Sequence, residues 1–269
     1  MGKKIILDPV RPKKSQEVRY RKALHALLKP IFMEVNQGLI PLIRKLQSEY
    51  QTDSWSDDLE QEFSLLRNII NEEQPLIPRV ANLLVDSIIT ESNEDLKKTF
   101  TKKLGINVFL NNRRLEDITK ARTNENISLI KSVGEGFLSD IETLVYEGAT
   151  QGRRASEIAK DIRKKAGITE RRANFIARDQ VTTFYANINK QRALDLGVKE
   201  YIWRNMGDQR VRGNPNGKYP NSKYNHWTRE GKIFTYKNPP PDGNAGEPAG
   251  CRCYAQLVID LEDFGLSGD

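Results

Sequence analysis

Apolar residues recur three and four positions apart through most of the first two hundred residues, the period of one face of an α-helix. In "SWSDDLEQEFSLLRNIINEE", Leu59, Phe63, Leu66 and Ile70 repeat at spacings of 4, 3 and 4. Ser56 is placed to cap this helix, and Asp57, Asp58 and Glu60 suit its positive start. Phe137, Ile141, Leu144 and Gly148 predict a second helix. "SEIAKDIRKKAG" predicts another, starting at Ser156, with Ala159, Ile162 and Ala166 on its apolar face and Gly167 as its stop. The longest follows: Thr169 caps it, Ala177, Val181, Phe184 and Ile188 form its buried face, and Gly197 ends it.

That last helix carries a second stripe. Arg178, Thr182, Tyr185, Asn189 and Arg192 lie at i, +4, +7, +11 and +14 and so share one face. Two readings stay open: a solvated face, or a stripe that grips a partner or ties the helix to the segment after it. Beyond Gly197 the pattern changes. "KEYIWR", "GKIFTYK" and "CRCYAQLVID" are short, aromatic or β-branched runs bounded by Gly, Pro and Asn, which predicts strands. The irregular loops "GDQRVRGNPNGKYPNSKYN" and "NPPPDGNAGEPAG" separate them. The fold class expected is mainly α: an extended helical N-terminal region followed by a small α+β C-terminal module. Three segments are expected: 1–124, helical; 125–197, helical; and 198–269, the small module.

Charge changes this picture. Residues 1–50 carry 11 basic and 4 acidic groups, 51–100 carry 4 and 11, and 151–200 carry 12 and 6, giving net values of +7, −7 and +6. Basic blocks can contact nucleic acid or an acidic protein surface, and they can equally be solvated helix faces. No apolar run reaches the roughly 18 residues of a membrane span. "MGKKIILDPV" has too short an apolar run for a signal peptide. With only two cysteines, no disulfide framework is possible, and folding in the cytosol is expected. The acidic pairs Asp57/Asp58, Glu72/Glu73 and Glu94/Asp95 read as solvated faces, since adjacent helix positions diverge. His25 reads as an ordinary helix residue.

The C-terminal module holds the specific motifs. "IARDQ", "YIWR", "GDQRVR", "HWTREGKIF" and "CRCYA" follow one another along the chain. This series resembles the C-terminal domain of the phage Mu F-like family of minor head, or head morphogenesis, proteins. "ITERRANFIARDQVTTFYANINKQR" is similar to the helix that precedes it there, and the resemblance covers about 125 to 260. The interval between "RVR" and His226 is longer than is usual in the family. The resemblance implies an assembly protein rather than an enzyme. Such a protein would join the head in few copies, near the portal vertex or in the head interior, after assembly in the host cytoplasm. Its implied partners are the portal protein, the major capsid protein or both, with 1–124 the expected portal- or capsid-binding region; packaged DNA is a further candidate, and no membrane is implied.

On a strand, Cys251, Cys253, Ala255, Leu257 and Ile259 would face the apolar side, with Arg252, Tyr254 and Gln256 opposite. A disulfide between residues i and i+2 sits at the limit of bridging geometry. Three readings of the cysteines stay open: packing, a structural zinc held with His226 and a further ligand such as Asp208, or catalysis. The enzymatic alternative is a metal-dependent nuclease using Asp208, His226, Cys251 and Cys253. Arg178, Arg210 and Arg212 are candidate interaction residues. At least one is expected to clamp helix to module through Asp179, Asp208 or loop carbonyls, because the guanidinium fork suits that work. Apolar spacing in "ALHALLKPIFMEVNQGLIPLIRKL", beside the +7 charge, suggests an anchor to the head within residues 1–50 or the helices just after them.

Overall fold

The computed structural model describes residues 3–48, 55–110 and 115–264. The fold is mainly α with one small antiparallel sheet. Strand β1 (Lys4–Ile6) is followed by α1 (Lys14–Glu34), α2 (Ile40–Ser48), α3 (Trp55–Glu73), α4 (Ile77–Leu104), α5 (Glu116–Thr150) and α6 (Ala155–Asp195). Then come β2 (Glu200–Arg204), β3 (Ile233–Thr235) and β4 (Tyr254–Asp260). Between α1 and α2 a π-helical turn spans Val35–Leu39, closed by the Ile40 N–H on the Val35 carbonyl. The wider turn carries the helix past Pro41, which has no N–H to give and whose ring crowds a normal turn.

The chain divides into two compact units, each discontinuous in sequence. One is Met1–Glu17, Leu84–Arg122 and Arg178–Asp269; the other is Val18–Leu83 and Thr123–Ala177. This differs from the consecutive segments 1–124, 125–197 and 198–269, because helices α1, α4, α5 and α6 each contribute residues to both units.

The second unit is an all-helical core. Leu59, Phe63 and Leu66 are buried with Phe137, Ile141 and Val145, and with Ile158, Ala159 and Ile162. The predicted apolar faces therefore form this core. The same core takes Ile31, Val35, Leu39, Ile40 and Ile43. So the apolar spacing read as a head anchor is satisfied inside the protein, and that face is not available to a partner. Tyr20 donates its hydroxyl to Asn126 Oδ1 at 2.6 Å within the same unit, and His25 Nε2 lies 2.8 Å from Asn174 Oδ1.

Several boundaries correct the sequence reading. Helix α3 already runs at Trp55, so Ser56 lies in its first turn rather than at its cap. Helix α6 is continuous for 41 residues, so neither Gly167 nor Thr169 marks a break. Gly167 has no positive φ, without which a glycine does not terminate a helix, and the Thr169 hydroxyl bonds back to the Lys165 carbonyl at 3.0 Å. The start of α6 is capped from far away: the Ala155 N–H donates to Gln47 Oε1 at 2.6 Å, a partner that local sequence cannot reveal. Gly197 does end α6. Its φ is +79°, its N–H bonds the Leu194 carbonyl and the Val198 N–H bonds the Ala193 carbonyl, the paired bonds of a Schellman cap.

The first unit contains the sheet, in the order β1-β4-β2-β3, all pairs antiparallel. Strand β1 comes from "KII", which the sequence reading left without an element. It lies along β4 in the register Lys4↔Asp260, Ile5↔Ile259 and Ile6↔Val258. The module is thus completed by the opposite end of the chain. The polar stripe of α6 is buried here rather than solvated: Thr182, Tyr185, Asn189 and Arg192 are all nearly inaccessible. Tyr185 donates to Asp95 Oδ2 (3.1 Å), the Ser92 hydroxyl donates to Asn189 Oδ1 (2.6 Å), and Arg192 Nε donates to Asn93 Oδ1 (3.0 Å). These bonds tie α6 to α4, and the Asn189 amide adds the Val10 carbonyl. Asp95, read as part of a solvated acidic pair, is one of these partners and also pairs with Lys13.

Candidate functional site

The two cysteines precede β4 rather than lying on it, since the strand begins at Tyr254. Both are nevertheless buried, as the alternation argument required. A tight turn places them. The Cys251 N–H bonds the Pro248 carbonyl at 2.8 Å, and Gly250, at φ +69°, makes the bend just before it. Helix α6 holds this turn through the Asp179 carboxylate, which accepts the Gly250 N–H, and Arg212, in the loop after β2, donates to the Ala249 carbonyl. Asp179 is the acid of "IARDQ", so that motif fastens the helix to the loop.

His226 reaches the cysteines from the other long loop. Its backbone N–H and that of Trp227 both donate to the Arg212 carbonyl at 3.0 Å. The extra residues between "RVR" and the histidine are therefore an excursion that closes on itself and returns His226 beside Arg212. The imidazole is 1% exposed. Its Nδ1 lies 3.4 Å from Cys251 Sγ and 3.6 Å from Cys253 Sγ, and the Cys253 N–H donates to Cys251 Sγ at 3.4 Å. One ligand atom from each of the three residues falls within 4.8 Å of the other two.

The far side of the ring is equally organised. His226 Nε2 lies 2.7 Å from Asp242 Oδ2, and Asp242 Oδ1 lies 2.7 Å from Arg229 Nη1. The Arg229 guanidinium sits 4.7 Å above the Trp203 ring, and Trp203 meets His226 edge-on at 5.1 Å. Burial pushes the Asp242 carboxyl up, but the hydrogen bond to His226 and the charge of Arg229 outweigh it and hold the group below its ordinary value. Contact with Cys253, opposed by burial and aided by His226, holds the Cys251 thiol well below its usual range. Contact with Cys251, together with burial, pushes Cys253 up.

Asp208 does not join this cluster. Its carboxylate pairs with Arg252 and accepts the Arg210 N–H at 2.9 Å. The four-residue centre of Asp208, His226, Cys251 and Cys253 is therefore not assembled. The three arginines separate in role. Arg212 is a clamp onto a loop carbonyl, Arg210 is exposed, and Arg178 is half-buried. Burial foremost, then the positive charge of Arg210, lowers the Arg178 pKa. Asp242, Arg229 and Trp203 were not singled out from sequence. Asp242 stands in "NPPPDGNAGEPAG", and an acid in such a proline-glycine loop was the signal available. Glu247, the other acid there, accepts the Asn244 N–H at 2.8 Å and pairs with Lys190 at 2.9 Å.

The same unit holds a cleft of about 740 Å³ between the N-terminal segment, α4 and α6. Its wall carries Arg11, Lys13, Lys14, Lys98, Lys102, Arg178 and Arg252 against Asp8, Glu17 and Asp95. Lys13, Lys14 and Lys102 are paired with acids on the same wall and Arg252 with Asp208, but basic residues on the wall outnumber acidic ones.

Comparison with known proteins adds the family. Residues 139–256 match the family described as phage Mu protein F like protein. The chain carries a phage Mu protein F like region. This Mu F-like region includes Asp179 and Arg212, which hold the cysteine turn, and His226, Asp242 and both cysteines of the buried cluster. An uncharacterized protein of Haemophilus influenzae (strain ATCC 51907 / DSM 11121 / KW20 / Rd) is 26% identical over 261 residues, which is 94% of this chain. The chain spans 55% of that relative's length. No solved structure matches. Among the described residues, no helix is long and apolar enough to cross a membrane.

Proposed function

We propose that this chain is a minor head protein of a tailed bacteriophage, a structural part rather than a catalyst. It binds the portal protein or the major capsid protein during head assembly in the host cytoplasm, and it stays in the virion at the head interior or portal vertex. The observation that supports this reading is the Mu F-like match across the helix and module of residues 139–256. The apolar helix faces are taken up in the protein's own core, so the contact with the head is read as lying on polar and charged surface. The test is co-expression with the portal protein of the same phage. Isolation of portal rings carrying this chain supports the proposal; rings free of it, under conditions where both proteins are soluble, contradict it.

A second reading, contact with packaged DNA, is favoured by the basic cleft. Phosphate contacts release counterions, so affinity for duplex DNA would fall with salt at a slope of about −0.9 per phosphate neutralised. Lys98→Glu would weaken that binding and flatten the slope. Affinity that is independent of salt, or unchanged in the variant, removes the cleft from the account.

A further inference from the structure

We infer that His226, Cys251 and Cys253 bind a zinc ion that staples the two long loops of the module together. The donor set argues for it first. Asp242 Oδ2 lies 2.7 Å from Nε2 and accepts the N–H of that nitrogen. The ring's lone pair is then on Nδ1, and Nδ1 is the atom facing both sulfurs. A nitrogen lone pair and two sulfurs converging in a buried place are the donors of a structural zinc site, and a carboxylate behind the histidine is the usual outer support.

Charge balance argues for it independently. Zn²⁺ with two thiolates is neutral, and Asp242 with Arg229 is neutral, so the filled centre places no net charge in the interior. The Cys253 N–H donates to Cys251 Sγ and so holds the two cysteines in one turn. Topology gives the ion its purpose. His226 ends one irregular loop and the cysteines end the other, and such loops bury little apolar surface of their own. Three ligands from the chain leave one position of the zinc tetrahedron to another donor; Asp208 is engaged with Arg252.

The test is elemental analysis of the full chain purified without chelator. About one zinc per chain is expected in the wild type, and little in the Cys251→Ser/Cys253→Ser variant. Asp242→Asn should keep the site but weaken zinc about 10- to 100-fold in competition with a chromophoric chelator. Cobalt uptake by the wild type should give thiolate charge-transfer absorption, which reports the sulfurs directly even if a variant fails to fold. A folded wild-type chain that carries no zinc and takes up neither zinc nor cobalt overturns the inference. So does zinc bound equally by the cysteine variant.

Discussion

Gly246→Ala tests how the cysteine loop is seated on α6. Gly246 has φ +91°, and a Cβ built on it would lie 2.7 Å from the Ala186 Cβ and 3.0 Å from the Cys253 carbonyl oxygen. An L-residue at positive φ costs about 1–2 kcal/mol. Forcing a methyl into a packed contact costs about 1–3 kcal/mol more. The substitution should therefore destabilise the protein by about 3 kcal/mol. The two causes separate in a double-mutant cycle. Ala186→Gly opens space for the new methyl, at a helix-propensity cost of about 1 kcal/mol, and leaves the φ strain in place. The double variant should thus recover the clash but not the strain, a favourable coupling of about 1–2 kcal/mol. Urea unfolding followed by tryptophan fluorescence measures it, because Trp203 is fully buried in this unit. A loss under about 1 kcal/mol for the single variant, or no coupling in the cycle, refutes the close packing of loop on helix.

Three further outcomes follow from named contacts. Tyr20→Phe leaves the buried Asn126 without its 2.6 Å donor and should cost about 1–3 kcal/mol in urea unfolding, whereas Tyr→Phe at the exposed Tyr219 should cost nothing measurable. Gly197→Ala keeps α6 but strains its φ +79° cap and should lower stability by about 1–2 kcal/mol, read as a shift in the unfolding midpoint. Glu247 sits below its ordinary pKa because Lys190 and the Asn244 N–H outweigh the upward push of burial. Its depressed folded value means that its contribution is complete above the unfolded value of about 4.3 and fades as pH falls through the folded one. Glu247→Gln should remove that part of the acid-side loss in a pH series of unfolding free energies.

Much of the architecture was legible because periodicity reports burial directly. Leu59, Phe63, Phe137, Ile141, Val181 and Ile188 are core residues, as their spacing required. Periodicity does not report what a polar face meets. The α6 stripe from Thr182 to Arg192 reads equally as solvated or buried until Asp95, Ser92 and Asn93 are seen beside it. Local signals also misled where a distant residue supplied what they lacked, as Gln47 does at the start of α6. Strand β1 was hidden for the same reason. "KII" is too short to declare itself and becomes a strand only because β4, over 240 residues away, offers an open edge. His226, Cys251 and Cys253 were legible as a group by residue type. Their supports were not, because Asp242 and Arg229 are ordinary loop residues in sequence and meet only when both loops close.

The central claim is that this chain is built into a phage head. The most direct measurement is quantitative mass spectrometry of gradient-purified procapsids, assembled from the capsid, portal and scaffold proteins of the same phage, with and without this chain. The account predicts this chain at a few copies per particle, held through repeated sedimentation. Its absence from intact procapsids, with the soluble chain recovered at the top of the gradient, would contradict the account.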